Sequence, residues 1–512
     1  MSERGRISVN ALSQLLAQAG VLALGLVASP VLVHGLGLEA YGLLVIVGVA
    51  TSYFGFVELG LGRATVQLMA GHLARGEHAA AREVLWTSVT AFLVLGLAGG
   101  LALAAAAPLL VEHVFAVSST FAPEAVVAFV LGAASLAIAM QRDVAASVAT
   151  AMERFDLVGR VTLAAGALQT VVSVVLVLRG SSLAGVMLGG LAVQAAALGV
   201  YWTISSRLLP GLMPLRPDLE TLRRLVRFGG YVTVSQVVGP LLVHLEKVLI
   251  GAFAAVDQLP FYSVPYSLAW GLTVVPASLG AVLHPAMVRL MANQDHAGVR
   301  ESLRRATRYS FVVLVGPVVV LVLYAPEILT VWMGAPFAAR ATVCLRILAL
   351  AVLVNVLAWP SYQLLHAAGR ADLTARYHVV ELFLHVPVSI VLIARAGVAG
   401  AALAWLVRAV LDTALMWRAA ARIVGLGSGR MARDSIGRGL LAAALLLPIA
   451  AAGRLWIESA GRAETAVALV VLGFCYVAPV AWLGLGREER GALLSTLKTV
   501  ALSSRRGAPS GP

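Results

Sequence analysis

Arg154-Phe155-Asp156-Leu157-Val158-Gly159-Arg160 recurs 216 positions further on as Arg370-Ala371-Asp372-Leu373-Thr374-Ala375-Arg376. Each copy is a short charged interruption between two long apolar runs. Working outward, Arg179 and Arg395 keep the same spacing. Upstream, Ser13-Gln14 returns as Ser235-Gln236, Leu68-Met69-Ala70 as Leu290-Met291-Ala292, and Arg82 as Arg304, all 222 positions apart, and Tyr41 returns as Tyr262. Matches that stay in register over this length mark an internal duplication. The first copy holds six apolar spans and the second another six. Six is even, so both copies enter the apolar phase in the same sense, as a parallel repeat.

The composition fits only one solvent for those spans. Hydrophobic residues make up 60% of the 512 residues and charged residues 12%, where a soluble domain carries roughly 25% charged. The mean hydropathy is +0.91. A soluble enzyme, a nucleic-acid binder and a disordered chain are excluded. A membrane helix takes ~20 residues, and hydropathy places about fourteen of them, from residues 11–34 to residues 464–485. The expected fold is an all-α polytopic membrane protein: two parallel six-helix repeats plus two extra C-terminal helices. The repeats give an N-lobe at 1–206, a cytoplasmic linker at 207–228 and a C-lobe at 229–421. An extra helix pair follows at 437–485, then a cytoplasmic tail at 486–512. Two such lobes are expected to leave a cleft that rocking exposes to each side in turn.

Charge placement orients the spans. The formal net charge is +13. With the N-terminus inside, 30 of the 38 basic residues fall in cytoplasmic segments and five in outer loops. That asymmetry follows the positive-inside rule and places both termini in the cytoplasm. The N-terminus, without a small-residue cleavage site, reads as a retained first helix. The loops at 63–83 and 289–308 read as interfacial amphipathic helices touching membrane lipids. Cys344 and Cys475 match no metal spacing. No cofactor is expected, and no phosphate-binding Gly-x-x-x-x-Gly-Lys-Ser/Thr loop or zinc-type His-Glu-x-x-His occurs.

Three basic residues remain inside spans: Lys247, Arg346 and Arg408. An ionisable group at membrane depth costs ~3 kcal/mol and is a functional candidate by default. Lys247 is the strongest, with His244 one turn before it on the same face. It either faces a cavity or pairs with an acid on another helix, Glu58 being one. Glu246 projects ~100° away from Lys247 and is a candidate for charge balance or cation coupling, as are Glu58 and Glu381. Asn10, Gln14 and Gln18 form a polar stripe, facing either a cavity or a neighbouring helix. Arg142 reads as an interfacial arginine or an anion contact. Arg346 reads as a snorkelling side chain or a polar-ligand contact. Arg408 and Asp412, one turn apart, are expected to neutralise each other. His284, His366 and His385 read as packed or capped.

Several motifs carry a resemblance. Gly37-Leu-Glu-Ala-Tyr41-Gly42, followed by Glu58-Leu-Gly-Leu-Gly62, resembles the opening of the bacterial oligosaccharide-lipid (polysaccharide and O-antigen) flippases. These belong to the multidrug/oligosaccharidyl-lipid/polysaccharide exporter superfamily. Leu245-Glu-Lys-Val-Leu-Ile-Gly251 with Phe261-Tyr262-Ser263 is similar to that family's acidic-basic pair and Tyr-Ser entry, with Glu in place of its Asp. Trp332-Met-Gly334, Leu345-Arg-Ile-Leu348, Leu364-Leu-His-Ala-Ala-Gly-Arg370 and Gly397-Val-Ala-Gly400 fit as well. The likeness spans residues 8–421. It implies a non-enzymatic membrane transporter acting in polysaccharide or lipopolysaccharide biosynthesis. Such a protein moves an undecaprenyl-pyrophosphate-linked glycan to the outer leaflet of the bacterial inner membrane. Polysaccharide polymerase and export machinery would be its partners. Lys247, His244, Gln14, Gln18, Arg142 and Arg346 would contact substrate; Glu246, Glu58 and Glu381 would couple an ion. A cation-coupled drug antiporter and a lipid II flippase are the alternatives within the superfamily. The in-span Lys and Arg favour an anionic substrate over a cationic drug.

Overall fold

The computed structural model describes residues 3–55, 60–211, 217–425, 428–457 and 462–484. For 3–19 and 228–240 it describes the helical backbone alone. Glu58 lies outside the described residues, and Gln14 and Gln18 fall where only the backbone is described.

Helices occupy every predicted span, and no strand occurs among the described residues. In lipid the helix satisfies each backbone donor and acceptor within its own segment. The first copy comprises α1 (Glu3–Leu36), α2 (Leu38–Gly55), α3 (Leu61–Ala74), α4 (His78–Leu109), α5 (Ala122–Ala151), α6 (Phe155–Leu178) and α7 (Leu183–Leu208). The second comprises α8 (Leu219–Phe253), α9 (Pro260–Gly271), α10 (Val274–Ala292), α11 (His296–Leu323), α12 (Ala325–Met333), α13 (Ala335–Ala367) and α14 (Ala371–Val424). The extra pair is α15 (Ser428–Ile457) and α16 (Arg462–Gly484). α14 contains two spans, because Gly397 breaks it with φ 52° and ψ −128°. Among the described residues seven helices, α14 included, are by themselves long and apolar enough to cross a bilayer. The chain is a multi-pass membrane protein.

The duplication is visible in backbone geometry. Arg154 Nε donates to Asp156 at 2.9 Å, and Arg370 Nε to Asp372 at 3.0 Å. The helix before each pair ends with the same bonds: Arg154 N to Ala149 O and Arg370 N to Leu365 O. Glu153 and Gly369, again 216 apart, are both left-handed, at φ 57° and 69°.

The structure refines the reading of the first basic loop and corrects that of the second. α3 buries Leu61, Ala64, Thr65 and Met69, and these join a core with Phe92 of α4 and Leu136 and Met140 of α5. Its apolar face packs on protein, while Arg63 and Gln67, one turn apart, are exposed. In 289–308, α10 runs to Ala292 and α11 starts at His296; no separate interfacial helix intervenes. The predicted spans at 262–288 and 309–333 are each divided, before Val274 and at Tyr324. Pro326, in the first turn of α12, suits that restart.

Two compact units result: residues 1–271 with 375–408, and residues 272–374 with 409–512. In the first unit α4 and α5 cross closely. A Cβ on Gly100 would meet Ala133 O at 2.9 Å, and one on Gly96 would meet Ala137 Cα at 3.2 Å. Small residues spaced by four let helix backbones approach in this way. α8 is pinned at its start, where Asp218 caps Thr221 N at 2.6 Å and Thr221 Oγ1 donates to Glu83 at 3.0 Å. In the second unit Trp417 Nε1 donates to Leu357 O, and Tyr476 OH to Ala443 O. Phe311, Val315 and Leu357 form a core there with Ala443, Tyr476 and Val480 of the extra pair. Large apolar side chains such as Leu101 of α4, Phe383 of α14 and Leu445 of α15 are exposed, as lipid-facing surfaces require.

Candidate functional site

Within the first unit, α8, α9 and α14 gather ionisable groups into an aromatic setting. Tyr262, Tyr266 and Trp270 repeat every four residues along α9 and stack at ring distances of 5.9 and 5.7 Å. Trp405 of α14 stands edge-on to Tyr266 at 5.7 Å and to Trp270 at 6.2 Å. Two cations face this wall. Lys247 Nζ lies 4.8 Å from the centre of the Tyr266 ring, and the Arg408 guanidinium 5.6 Å from that of Trp405. Such contacts are worth up to ~2 kcal/mol when desolvated.

The acids are arranged away from Lys247. Glu246 is 0% exposed and accepts from His385 Nε2 at 2.6 Å; His385 is itself 4% exposed. Ser389 Oγ stands 3.4 Å from His385 Nδ1. Glu381, one turn before His385, lies 3.8 Å from Arg408 Nη1. Consecutive residues on α8 thus face different partners, as the helical 100° step requires. Nζ of Lys247 is 3.5 Å from His244 Nδ1, and Tyr53 of α2 meets the His244 ring edge-on at 6.3 Å. Among the described residues no carboxylate lies within ion-pair distance of Lys247.

The structure therefore brings Lys247, His244, Glu246 and Glu381 together. It adds His385, read from the sequence as packed or capped, and gives Arg408 a partner in Glu381. The signal for His385 was its spacing: Glu381, His385 and Ser389 form a four-residue stripe on one face, and all three are buried. Arg142 stands apart, with Nη2 2.9 Å from Asp143, on the wall of a cavity of about 690 Å³ among α1, α2, α5, α6 and α7. Arg346, in the second unit, donates from Nε to Val322 O at 3.0 Å. That bond ties it to α11.

Comparison with known proteins now bears on this arrangement. A model of polysaccharide biosynthesis proteins matches residues 31–342. The chain belongs to the polysaccharide biosynthesis protein family. A Shigella flexneri protein named "Putative O-antigen transporter" is 24% identical over 398 residues, covering 75% of this chain and 90% of that protein. The inward closed structure of the lipid II flippase MurJ aligns with a TM-score of 0.68 at 10% identity, over 91% of this chain and 97% of that one. An inward-facing multidrug transporter of the MATE family, within the MOP superfamily, aligns with a TM-score of 0.67 at 14% identity, over 81% and 98%. The fold of this family member is thus that of the MOP transporters, as the motifs around Glu246, Lys247 and Tyr262 implied.

Proposed function

We propose that the protein carries an undecaprenyl-pyrophosphate-linked glycan from the cytoplasmic to the outer leaflet of the bacterial inner membrane by alternating access, with both termini in the cytoplasm. The observation that carries this reading is Lys247, a cation at membrane depth whose neighbouring acid Glu246 is engaged by His385. A lysine held this way offers its charge to a pyrophosphate, while the prenyl chain stays in lipid. Membership of a polysaccharide biosynthesis family and a relative named as an O-antigen transporter support the glycan half of the substrate. His244, Gln14, Gln18, Arg142 and Arg346 serve as further substrate contacts, and a polysaccharide polymerase and export machinery act downstream.

The acids supply coupling. Glu246 with His385, and Glu381 with Arg408, are pairs whose balance changes when one proton or cation is gained or lost. Glu58 is assigned to the same role. A change of charge in so buried a setting is expensive, and repacking helices is one way to relieve it.

The second reading is a cation-coupled drug antiporter, favoured by the aromatic wall on α9. Aromatic faces attract organic cations. Here Lys247 already occupies the Tyr266 face, which repels such a ligand. Purified protein in liposomes separates the two. Transfer of a fluorescent undecaprenyl-pyrophosphate oligosaccharide across the bilayer, without uptake of a cationic dye, is the expected result. Dye transport without glycan-lipid transfer overturns the reading.

A further inference from the structure

The first unit also holds a cavity that Lys247 does not line. It lies among α1, α2, α5, α6 and α7, has a volume of about 690 Å³ and adjoins a second cavity of about 350 Å³. Thr51, Ser135, Gln169 and Gln194 line both. The pair forms a column through a helix bundle, with a line of polar side chains on otherwise apolar walls. It runs from the Arg142–Asp143 end to Ser173.

Its chemistry is neutral. The Arg142–Asp143 pair, at 2.9 Å, balances its own charge, and the remaining polar groups are amides and hydroxyls. Each amide is half used. Gln194 Oε1 accepts from Ser135 at 3.1 Å, and Gln169 Nε2 donates to Ser173 at 3.4 Å. Among the described residues the Gln194 Nε2 and Gln169 Oε1 atoms have no hydrogen-bond partner, so one donor and one acceptor are available. Polar groups inside a membrane bundle are costly unless they are used, and protein interiors otherwise close on their voids.

The duplication accounts for the hollow. Gln169 and Ser173 are the counterparts, 216 positions earlier, of His385 and Ser389. The second copy surrounds its stripe with Glu246, Lys247, Glu381 and Arg408. At the matching positions the first copy carries Leu24, Gly25, Ala165 and Ala192. Leu24 keeps the bulk of Glu246 without its charge. At the other three positions a long charged side chain gives way to glycine or alanine. Gly25 and Ala165 line the resulting space.

We propose that this chamber binds a neutral, hydroxyl-rich ligand, namely sugar units of the transported glycan; as a glycan site it rests on the function proposed above. Amides and hydroxyls, each able to donate and accept, match sugar hydroxyls. The volume falls within the ~300–1,000 Å³ common for small-molecule sites.

The test places a thiol on the wall. Ala139 lines the larger cavity. Cys344 is buried and Cys475 exposed, so Ala139→Cys is made in full-length Cys475→Ser protein, with Ala146→Cys as a second position. The rate of modification by a water-soluble maleimide is measured with glucose, galactose and N-acetylglucosamine, and separately with sugar-free undecaprenyl pyrophosphate. The expected result is ready labelling, slowed at least fivefold by one of the sugars, with that protection lost in Gln169→Leu/Gln194→Leu protein. No labelling at either cysteine position would mean a dry chamber and overturns the proposal. So does unchanged labelling with every sugar, or equal slowing by the sugar-free lipid, which makes the occupant a prenyl chain. Sugar protection in a protein that moves no glycan-lipid sinks the transport reading and leaves the chamber standing. Transport without protection does the reverse.

Discussion

The sharpest contrast in the molecule is between two side-chain pairs at the same place in the two copies. Gln169 and Ser173 stand 3.4 Å apart and line open space. His385 and Ser389 stand 3.4 Å apart and are sealed against Glu246. Duplication supplied the same helix, register and hydrogen bond; only the surrounding side-chain volumes and charges differ. One scaffold thus yields a neutral hollow and a charged, filled cluster. The division of labour follows from which positions are small and which are charged.

The largest expected effect comes from breaking the filled side. Removing one partner of a buried pair costs about 3–5 kcal/mol. Glu246→Leu alone should therefore lower the unfolding temperature of the detergent-solubilised protein markedly. Glu246→Leu with His385→Gln, which installs the chemistry of Leu24 and Gln169, should recover most of that loss. If the double variant is as unstable as the single one, the two copies do not share an interchangeable scaffold.

A smaller effect tests the hollow side. Gly190 lies beneath Gln169, and a Cβ there would meet Gln169 Nε2 at 2.6 Å. Gly190→Ala should displace that amide and slow glycan-lipid transfer severalfold with little change in unfolding temperature. Transfer at the wild-type rate would remove Gln169 from the substrate path.

How much of this was legible from the sequence depends on the kind of signal. Every span and the repeat were readable, because hydropathy and the Arg-x-Asp-Leu pattern are local. Lys247, Glu246 and Glu381 stood out because charges are rare in spans. His385, read as packed or capped, is buried as expected, but its partner Glu246 could not be read, since a histidine on an apolar helix shows its partner only when α8 is packed against α14. Ser135, Gln169 and Gln194 were missed altogether. Neutral polar residues are common in membrane helices, and a cavity is defined by the small residues around it. Aligning the copies at Arg154 and Arg370 would have exposed the exchange of Glu381 for Ala165. The breaks before Val274 and at Tyr324 escaped because hydropathy runs through them.

The loops offer weaker contrasts. After α3, Arg75 and His72 bond the Glu77 carboxylate and hold its pKa down to about 2. In the second copy Arg304 and then Arg305 do the same for Glu301, also to about 2. A carboxylate depressed in the folded state adds stability above its unfolded pKa of roughly 4.3, and that stability is lost as pH falls toward 2. Both clusters are partly solvent-exposed, so the effect is small. Glu77→Gln and Glu301→Gln should flatten slightly the fall of unfolding temperature between pH 4.5 and pH 2, by similar amounts; the small stability each carboxylate adds above that window is lost in the variant. The smallest change is Glu153→Gly. It places glycine at the left-handed position that the second copy already fills with Gly369, and relief of a left-handed side chain is worth at most ~1–2 kcal/mol. A slight rise in unfolding temperature is expected.

The account stands or falls on Lys247. Transfer of a fluorescent undecaprenyl-pyrophosphate oligosaccharide should be measured in liposomes holding wild-type, Lys247→Ala or Lys247→Arg protein, each checked for normal unfolding temperature. The alanine variant should be at least tenfold slower, and the arginine variant intermediate. An alanine variant that transfers the lipid at the wild-type rate would contradict the claim that this cation receives the pyrophosphate.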